Sequence, residues 1–207
     1  MSGASVGLAS LDPQPFGVTW VLDEPMARSS HALVDKGRVW LIDPTDQPEA
    51  LDRALELGRP VAVLQLLDRH RRDCAAIAAG LGVPHVIVPP VLVDTPFTIV
   101  PVVENRLWRE VALWWPAQGL LIVPEAIGTS PGFAPGPAGA GVHIGLRLRP
   151  PRVLAGYVPA HLLVGHGSAL HGSTAAVALR EALDRSRSDL PHAVVAIGKT
   201  AMDAARR

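Results

Sequence analysis

Residues 61–67 read Val-Ala-Val-Leu-Gln-Leu-Leu, an almost unbroken apolar run with no polar alternation. A strand with one face in water alternates polar and apolar side chains, so a strand here must be covered on both faces. The flanking sequence supplies the cover. Pro48–Leu57 places Leu51, Ala54 and Leu55 on one helical face, with Asp46 or Thr45 as the expected cap and Gly58 as the stop. A second helix is expected from near Arg72 to Leu81, ended by Gly82, and a short buried strand follows at Val86–Val88. Helix-linked strands favour parallel pairing. Upstream, Gly17–Leu22 reads as a strand, and His31–Val34 and Arg38–Ile42 flank Asp35-Lys36-Gly37, a turn tripeptide that favours an antiparallel hairpin. The expected class is α/β with mixed β-sheets.

Further strands are expected at Thr98–Val103, Val111–Trp115 and Leu120–Val123, with turns at Glu104-Asn105-Arg106 and Pro116-Ala117-Gln118-Gly119. Residues 128–141 are dense in glycine and proline, which disfavours regular structure; the segment reads as a long surface loop, either a pocket lid or a connector. Leu162–Val164 is the last clear strand. Ser173 then caps a helix to about Ser186, with Ala176, Leu179 and Leu183 inward and Arg180, Glu181, Asp184 and Arg185 outward. The tail from Ala193 to Arg207 is expected to add a strand and a short helix.

Composition narrows the class of partner. Lys plus Arg equals Asp plus Glu at 19 each, which gives no overall field to draw nucleic acid or an acidic membrane. Cys74 is the sole cysteine, so an intrachain disulfide and a thiolate zinc cluster are both excluded. Met1–Phe16 carries no Lys or Arg and is broken by Pro13 and Pro15, unlike a secretory signal; it reads as an N-terminal extension. The apolar stretch Val111–Pro124 is interrupted by Pro116, Gln118 and Gly119 and is too short to span a bilayer. A cytoplasmic location is expected, and the apolar bias is compatible with a homodimer.

Two places put polar residues just beyond the carboxyl end of a buried strand, where α/β proteins tend to place ligands. One is Asp68-Arg69-His70-Arg71-Arg72-Asp73-Cys74; three arginines near a helix start suit a small anionic ligand such as phosphate or carboxylate, although Asp68 and Asp73 can equally neutralise them or cap the helix. The other is Gly165-His166-Gly167, where flanking glycines let other groups approach an imidazole closely. His31, His85, His143, His161, His171 and His192 show no paired spacing and read as surface or hydrogen-bonded residues. Trp114 and Trp115 adjoin on a strand and should face opposite sides.

In this order the chain resembles the metallo-β-lactamase superfamily. Ser30–Pro44 is similar to that family's opening hairpin, which ends in an Ile-Asp-Pro or Ile-Asp-Thr-Gly type of turn. The strand ending near Asp68 falls where the family has His-x-His-x-Asp-His. Leu121-Ile-Val-Pro-Glu-Ala-Ile-Gly128 looks like the strand ending in a metal-bridging aspartate, and Leu163-Val-Gly-His-Gly167 resembles the segment supplying the last metal-binding histidine. The resemblance implies one domain over residues 1–207, an αββα sandwich with mixed sheets, and a hydrolase site at one sheet edge. The departures are in the ligands. Asp68–Cys74 offers a single histidine, Asn105–Glu110 (with Trp108) replaces a histidine turn, and Glu125 stands at the bridging position. A dinuclear zinc site needs about five or six converging imidazoles and carboxylates, and arginines beside a dication are unfavourable.

The sequence thus describes a protein of this fold with an unknown ligand, without standard dinuclear zinc hydrolysis and with no cofactor expected. Asp68, Arg69, Arg71, Arg72 and Trp108 are the candidate ligand-binding residues, Trp108 also being able to fill the volume that metals would occupy. The alternative is an atypical hydrolase of a small ester, lactone or phosphoester. His70, Asp73, Glu125 and His166 are then the candidate catalytic residues, acting as acid and base or as ligands of one divalent ion such as zinc.

Overall fold

The structure, a computed structural model, describes residues 6–134 and 139–195. A first sheet holds β1 (Leu8–Gln14), β2 (Gly17–Leu22), β3 (Ser29–Asp35), β4 (Arg38–Ile42), β5 (Arg59–Gln65) and β6 (His85–Ile87), in that spatial order. It is antiparallel through β4 and parallel from β4 to β6, because α1 (Pro48–Glu56) and α2 (Cys74–Leu81) carry the chain back between those strands. The β3–β4 turn is the expected one, with Lys36 and Gly37 both at positive φ (49° and 72°).

The second sheet contains β7 (Thr98–Asn105), β8 (Trp108–Trp115) and β9 (Leu120–Val123). After a small hairpin of β10 (Ile127–Gly128) and β11 (Gly141–Val142), the sheet is completed by β12 (His161–Val164) and β13 (Leu170–His171). Its order is β13-β12-β9-β8-β7, with β12 and β9 parallel. The last helix is α3 (Ser173–Asp184).

Strand alternation distributes the apolar side chains into three layers. Trp40, Ile42, Leu64 and Leu66 of the first sheet meet Leu113, Trp115, Leu120, Ile122 and Leu163 of the second. Val18, Trp20, Val39, Leu41 and Val63 point the other way, onto Ala50 and Ala54 of α1 and Ile77 and Ala78 of α2. Ala112, Leu121, Val123, Leu162 and Val164 face Ala175, Leu179 and Leu183 of α3. Helices, sheet, sheet and helix therefore form four layers, the αββα sandwich. Trp114 and Trp115 divide between the two faces of their sheet as expected.

Several local expectations change. The stretch taken for an N-terminal extension contains β1, an edge strand whose ladder tolerates Pro13. Neither Asp46 nor Thr45 caps α1: the N-cap is Gln47 without a side-chain bond, because the Thr45 hydroxyl accepts from Trp20 Nε1 at 2.9 Å. Gly172, not Ser173, is the N-cap of α3, and Ala176 is only half-buried while Ala175, Ala178 and Ala182 face the sheet. The β7–β8 turn falls at Arg106-Leu107, overlapping the expected one only at Arg106, and Trp108 opens β8. Of the expected strand and short helix after Ala193, residues 190–195 are helical and the remainder lies outside the described residues, as do 135–138 of the Gly/Pro-rich loop. Among the described residues, no helix is long and apolar enough to cross a membrane.

Candidate functional site

β4, β5, β9 and β12 end at the same edge of the sandwich, and the loop after each carries a polar residue of the site. Asp43 follows β4, His70 and Arg72 follow β5, Glu125 follows β9, and His166 follows β12. Three of these converge: ligand-capable atoms of His70, Glu125 and His166 all lie within 4.8 Å of one another. His70 Nε2 is 2.8 Å from Glu125 Oε2, and His166 Nε2 is 3.7 Å from the same oxygen.

The outer nitrogens decide what these groups can do. His70 Nδ1 lies 3.3 Å from Asp43 Oδ2, whose other oxygen accepts from the Leu66 amide at 3.1 Å. His166 Nδ1 lies 3.0 Å from the Met26 carbonyl oxygen. Carbonyl and carboxylate oxygens only accept, so His166 Nδ1 carries a proton. His70 faces a carboxylate at both nitrogens: with a proton on each it is an imidazolium bonded to Glu125, and with the proton on Nδ1 alone its Nε2 lone pair turns to Glu125. In that second form two imidazole nitrogens and a carboxylate oxygen share one space.

Electrostatics favour positive charge on His70 and negative charge on Glu125. Burial and the Arg72 charge push the His70 pKa down, yet its hydrogen bonds to Asp43 and Glu125 outweigh them and the net shift is upward. Burial alone would raise the Glu125 pKa, but the imidazoles of His166 and His70 hold it well below the usual carboxylate range. Burial likewise lowers the His143 pKa. His143 Nδ1 accepts from the Gly145 amide at 3.1 Å, so Nε2 bears the proton and points to Glu125 Oε1 at 3.4 Å.

The local backbone is built for close approach. A Cβ on Gly165 would sit 2.0 Å from the Pro124 carbonyl oxygen and 3.0 Å from His70 Cε1. Gly167, at φ 101°, would place one 2.4 Å from the Ser130 amide nitrogen. Both glycines are therefore required beside His166. Ala27, Asp43 and Arg72 hold positive φ (45°, 43° and 40°), a cost of roughly 1–3 kcal/mol each that tends to gather at functional sites. Phe133 stacks on His166 at 5.4 Å, so the Gly/Pro-rich segment does reach the site. Glu110, 1% exposed, accepts from the Glu125 and Ala126 amides and from Trp108 Nε1, at 3.0, 2.8 and 2.7 Å. Burial pushes its pKa up to about 7 against those donors.

Of the residues singled out in the sequence, His70, Glu125 and His166 come together and Asp73 does not. Asp73 Oδ2 accepts from the Asp46 amide at 2.8 Å, in a groove between α1 and α2. Asp68 turns to the Arg109 amide at 3.1 Å. Arg69 lies over Trp108 at 4.4 Å and, with Arg72, lines an open cleft of about 380 Å³ shared with Met26, Arg28, His70, Glu125 and His166. Arg71 is exposed and is not among the lining residues. Trp108 packs edge-on to His143 at 4.8 Å, filling space beside the cluster. Sequence reasoning missed Asp43, which entered only within the Ser30–Pro44 hairpin, and His143, which has no spaced partner. The Ile-Asp-Pro turn was the signal available for the first; nothing marked the second.

The chain matches no family model, and no curated protein matches it in sequence. Solved structures do match in shape. DIM-1 metallo-β-lactamase aligns with a TM-score of 0.57 at 12% identity, over 88% of this chain and 100% of the other. TMB-1 gives 0.56 at 10% identity over 92% and 98%, and VMB-1 gives 0.58 at 9% identity over 89% and 99%. This chain has a metallo-β-lactamase-like fold.

Proposed function

We propose that this is a single-metal hydrolase built on a metallo-β-lactamase-like fold, one divalent ion being held by His70, Glu125 and His166. The reading is carried by the hydrogen bonds at the two outer nitrogens: with Nδ1 held by Asp43 and by the Met26 carbonyl, each neutral imidazole would turn its Nε2 lone pair to Glu125. Two histidines and a glutamate are an ordinary zinc set, and such outer partners orient metal-bound imidazoles. A bound divalent ion would supply Lewis acidity toward an ester, lactone or phosphoester. The chain's own groups hold the arrangement. Asp43 aligns His70, His143 engages the second oxygen of Glu125, and the Phe133 and Trp108 rings limit water on one side.

A second ion does not fit beside the first. Glu110 spends its carboxylate on three N–H donors. The Arg72 guanidinium reaches the carbonyl oxygens of Ser29, Asp43 and Gly165 and brings a positive charge next to the cluster. The competing reading is that a proton fills the cation site. The 2.8 Å separation of His70 Nε2 and Glu125 Oε2 suits an N–H donor, and the protein would then be a binding module without an ion.

Zinc titration of untagged, chelator-treated protein separates the two. The single-metal reading expects one equivalent to bind with a saturable rise in Tm, lost in His166→Ala and kept in His171→Ala. A Tm that ignores zinc, manganese and iron, in protein purified without bound metal, overturns it.

A further inference from the structure

We propose that the cleft beside the cluster takes a small oxyanion, a phosphate or carboxylate group of the substrate, gripped by Arg69 and Arg72. The inference deepens the hydrolase reading and rests on it for the word substrate; the anion contact itself needs no metal.

Charge pairing in the cleft leaves these two arginines without a carboxylate. Arg28 is spent on Glu24, with Nε and Nη2 on the two carboxylate oxygens at 2.5 and 2.8 Å. Asp43 and Glu125 lie on His70. Asp68 binds the Arg109 amide and Asp73 the Asp46 amide. Among the described residues, ion pairs involve Arg28, Arg38, Arg53, Arg109, Arg152 and Arg185, but neither Arg69 nor Arg72.

Each is nevertheless fixed in place. The Arg69 guanidinium carbon lies 4.4 Å from the centre of the Trp108 ring, and the side chain lines the cleft. Arg72 is anchored by the carbonyl oxygens of Ser29, Asp43 and Gly165 and by the Ser30 hydroxyl, and its Nε is buried without a partner. A cation held this way has lost water and touches only neutral groups, so an arriving anion supplies a direct counter-charge. Two guanidinium groups line one cleft, and the donors they have to spare suit the oxygens of a carboxylate or phosphate.

The test is a titration of the full chain with inorganic phosphate, and separately with acetate, in the presence of EDTA, read by calorimetry and Tm. Saturable binding of either probe is expected, with affinity weakened about tenfold or more in Arg69→Ala. Arg69 is exposed, so this variant should fold; Arg53→Ala, on the exposed face of α1, is the control and should bind as wild type. Absence of saturable binding overturns the proposal, as does equal weakening in Arg69→Ala and Arg53→Ala. Because the chelator is present throughout, anion binding without zinc uptake would sink only the metal reading, and zinc uptake without anion binding would sink only this one.

Discussion

The two ends of β12 each carry a histidine cluster, and the clusters are opposite in kind. At its start, His161 Nδ1 meets His171 Nδ1 at 2.8 Å, and His171 Nε2 meets Asp12 Oδ2 at 2.8 Å. One proton lies between the rings and one between His171 and the carboxylate, so every inner atom is paired. This chain joins β1 of one sheet to β12 and β13 of the other. Beyond the strand's far end, His166 and His70 are each held at Nδ1 by an outer oxygen and turn Nε2 inward to Glu125. Two histidines and a carboxylate thus make a closed structural tie in one place and converge on one space in the other. Counting protons separates them; counting residues does not.

The largest test removes the packing under the closed end. Phe16, 4% exposed, lies 4.6 Å from the His161 ring and belongs to the layer between the sheets. Phe16→Ala should cost about 3–5 kcal/mol, a Tm fall of roughly 6–20 °C for a domain of this size. Zinc stoichiometry at the other end should be unchanged in the folded protein. A variant that folds yet no longer takes up metal would show that the two ends are one unit.

Between the ends sits His31, buried between the sheets with Nδ1 2.9 Å from Thr19 Oγ1 and Nε2 3.2 Å from the Val164 carbonyl oxygen. Burial first, and then the Arg72 charge, lower its pKa from 6.5 to about 3. A folded pKa below the unfolded one favours the neutral ring, so the stability is complete above pH 6.5 and drains as the pH falls toward 3. The slope approaches about 1.4 kcal/mol per pH unit in that window. Urea midpoints for wild type and His31→Gln should converge on acidification; parallel curves would refute it.

At the open end, Asp43→Asn keeps the shape of the side chain and weakens its pull on His70. Loss of such an outer carboxylate typically costs about 10–100-fold in metal affinity, and zinc titration should read a change of that size with stoichiometry kept. Affinity within twofold of wild type would mean that Asp43 serves only the Leu66 amide it also accepts.

How much of this was legible follows from where the causes lie. β5 could be read because burial on both faces leaves an unbroken apolar run, and His70, Glu125 and His166 because each closely follows such a strand. β1 could not: its burial is only partial and Pro13 interrupts it, features that an edge strand and an unstructured arm share. Asp73 was over-read for the converse reason. It shares a loop with His70, but Arg72 at positive φ turns the chain, and Asp73 reaches Asp46 instead. Asp43 becomes part of the site only through the adjacency of β4 and β5, a tertiary fact that no spacing along the chain encodes.

The smallest expected effect belongs to the paired histidines. Burial first, and then the neighbouring His171, lower the His161 pKa below 6.5. The cause is visible in the geometry: a second proton would set N–H against N–H across 2.8 Å. As for His31, the sign makes the contribution complete above pH 6.5 and declining below it. The pair is partly open to solvent, so the decline should be shallow, a minor component beneath that of His31. His161→Asn isolates it. Relative to wild type the variant should be destabilised at pH 7.5 and progressively less so toward pH 5, as wild type loses its own tie. A difference in Tm that stays constant over that range would mean that the rings carry no titrating contact, and the contrast with the open end would then rest on packing alone.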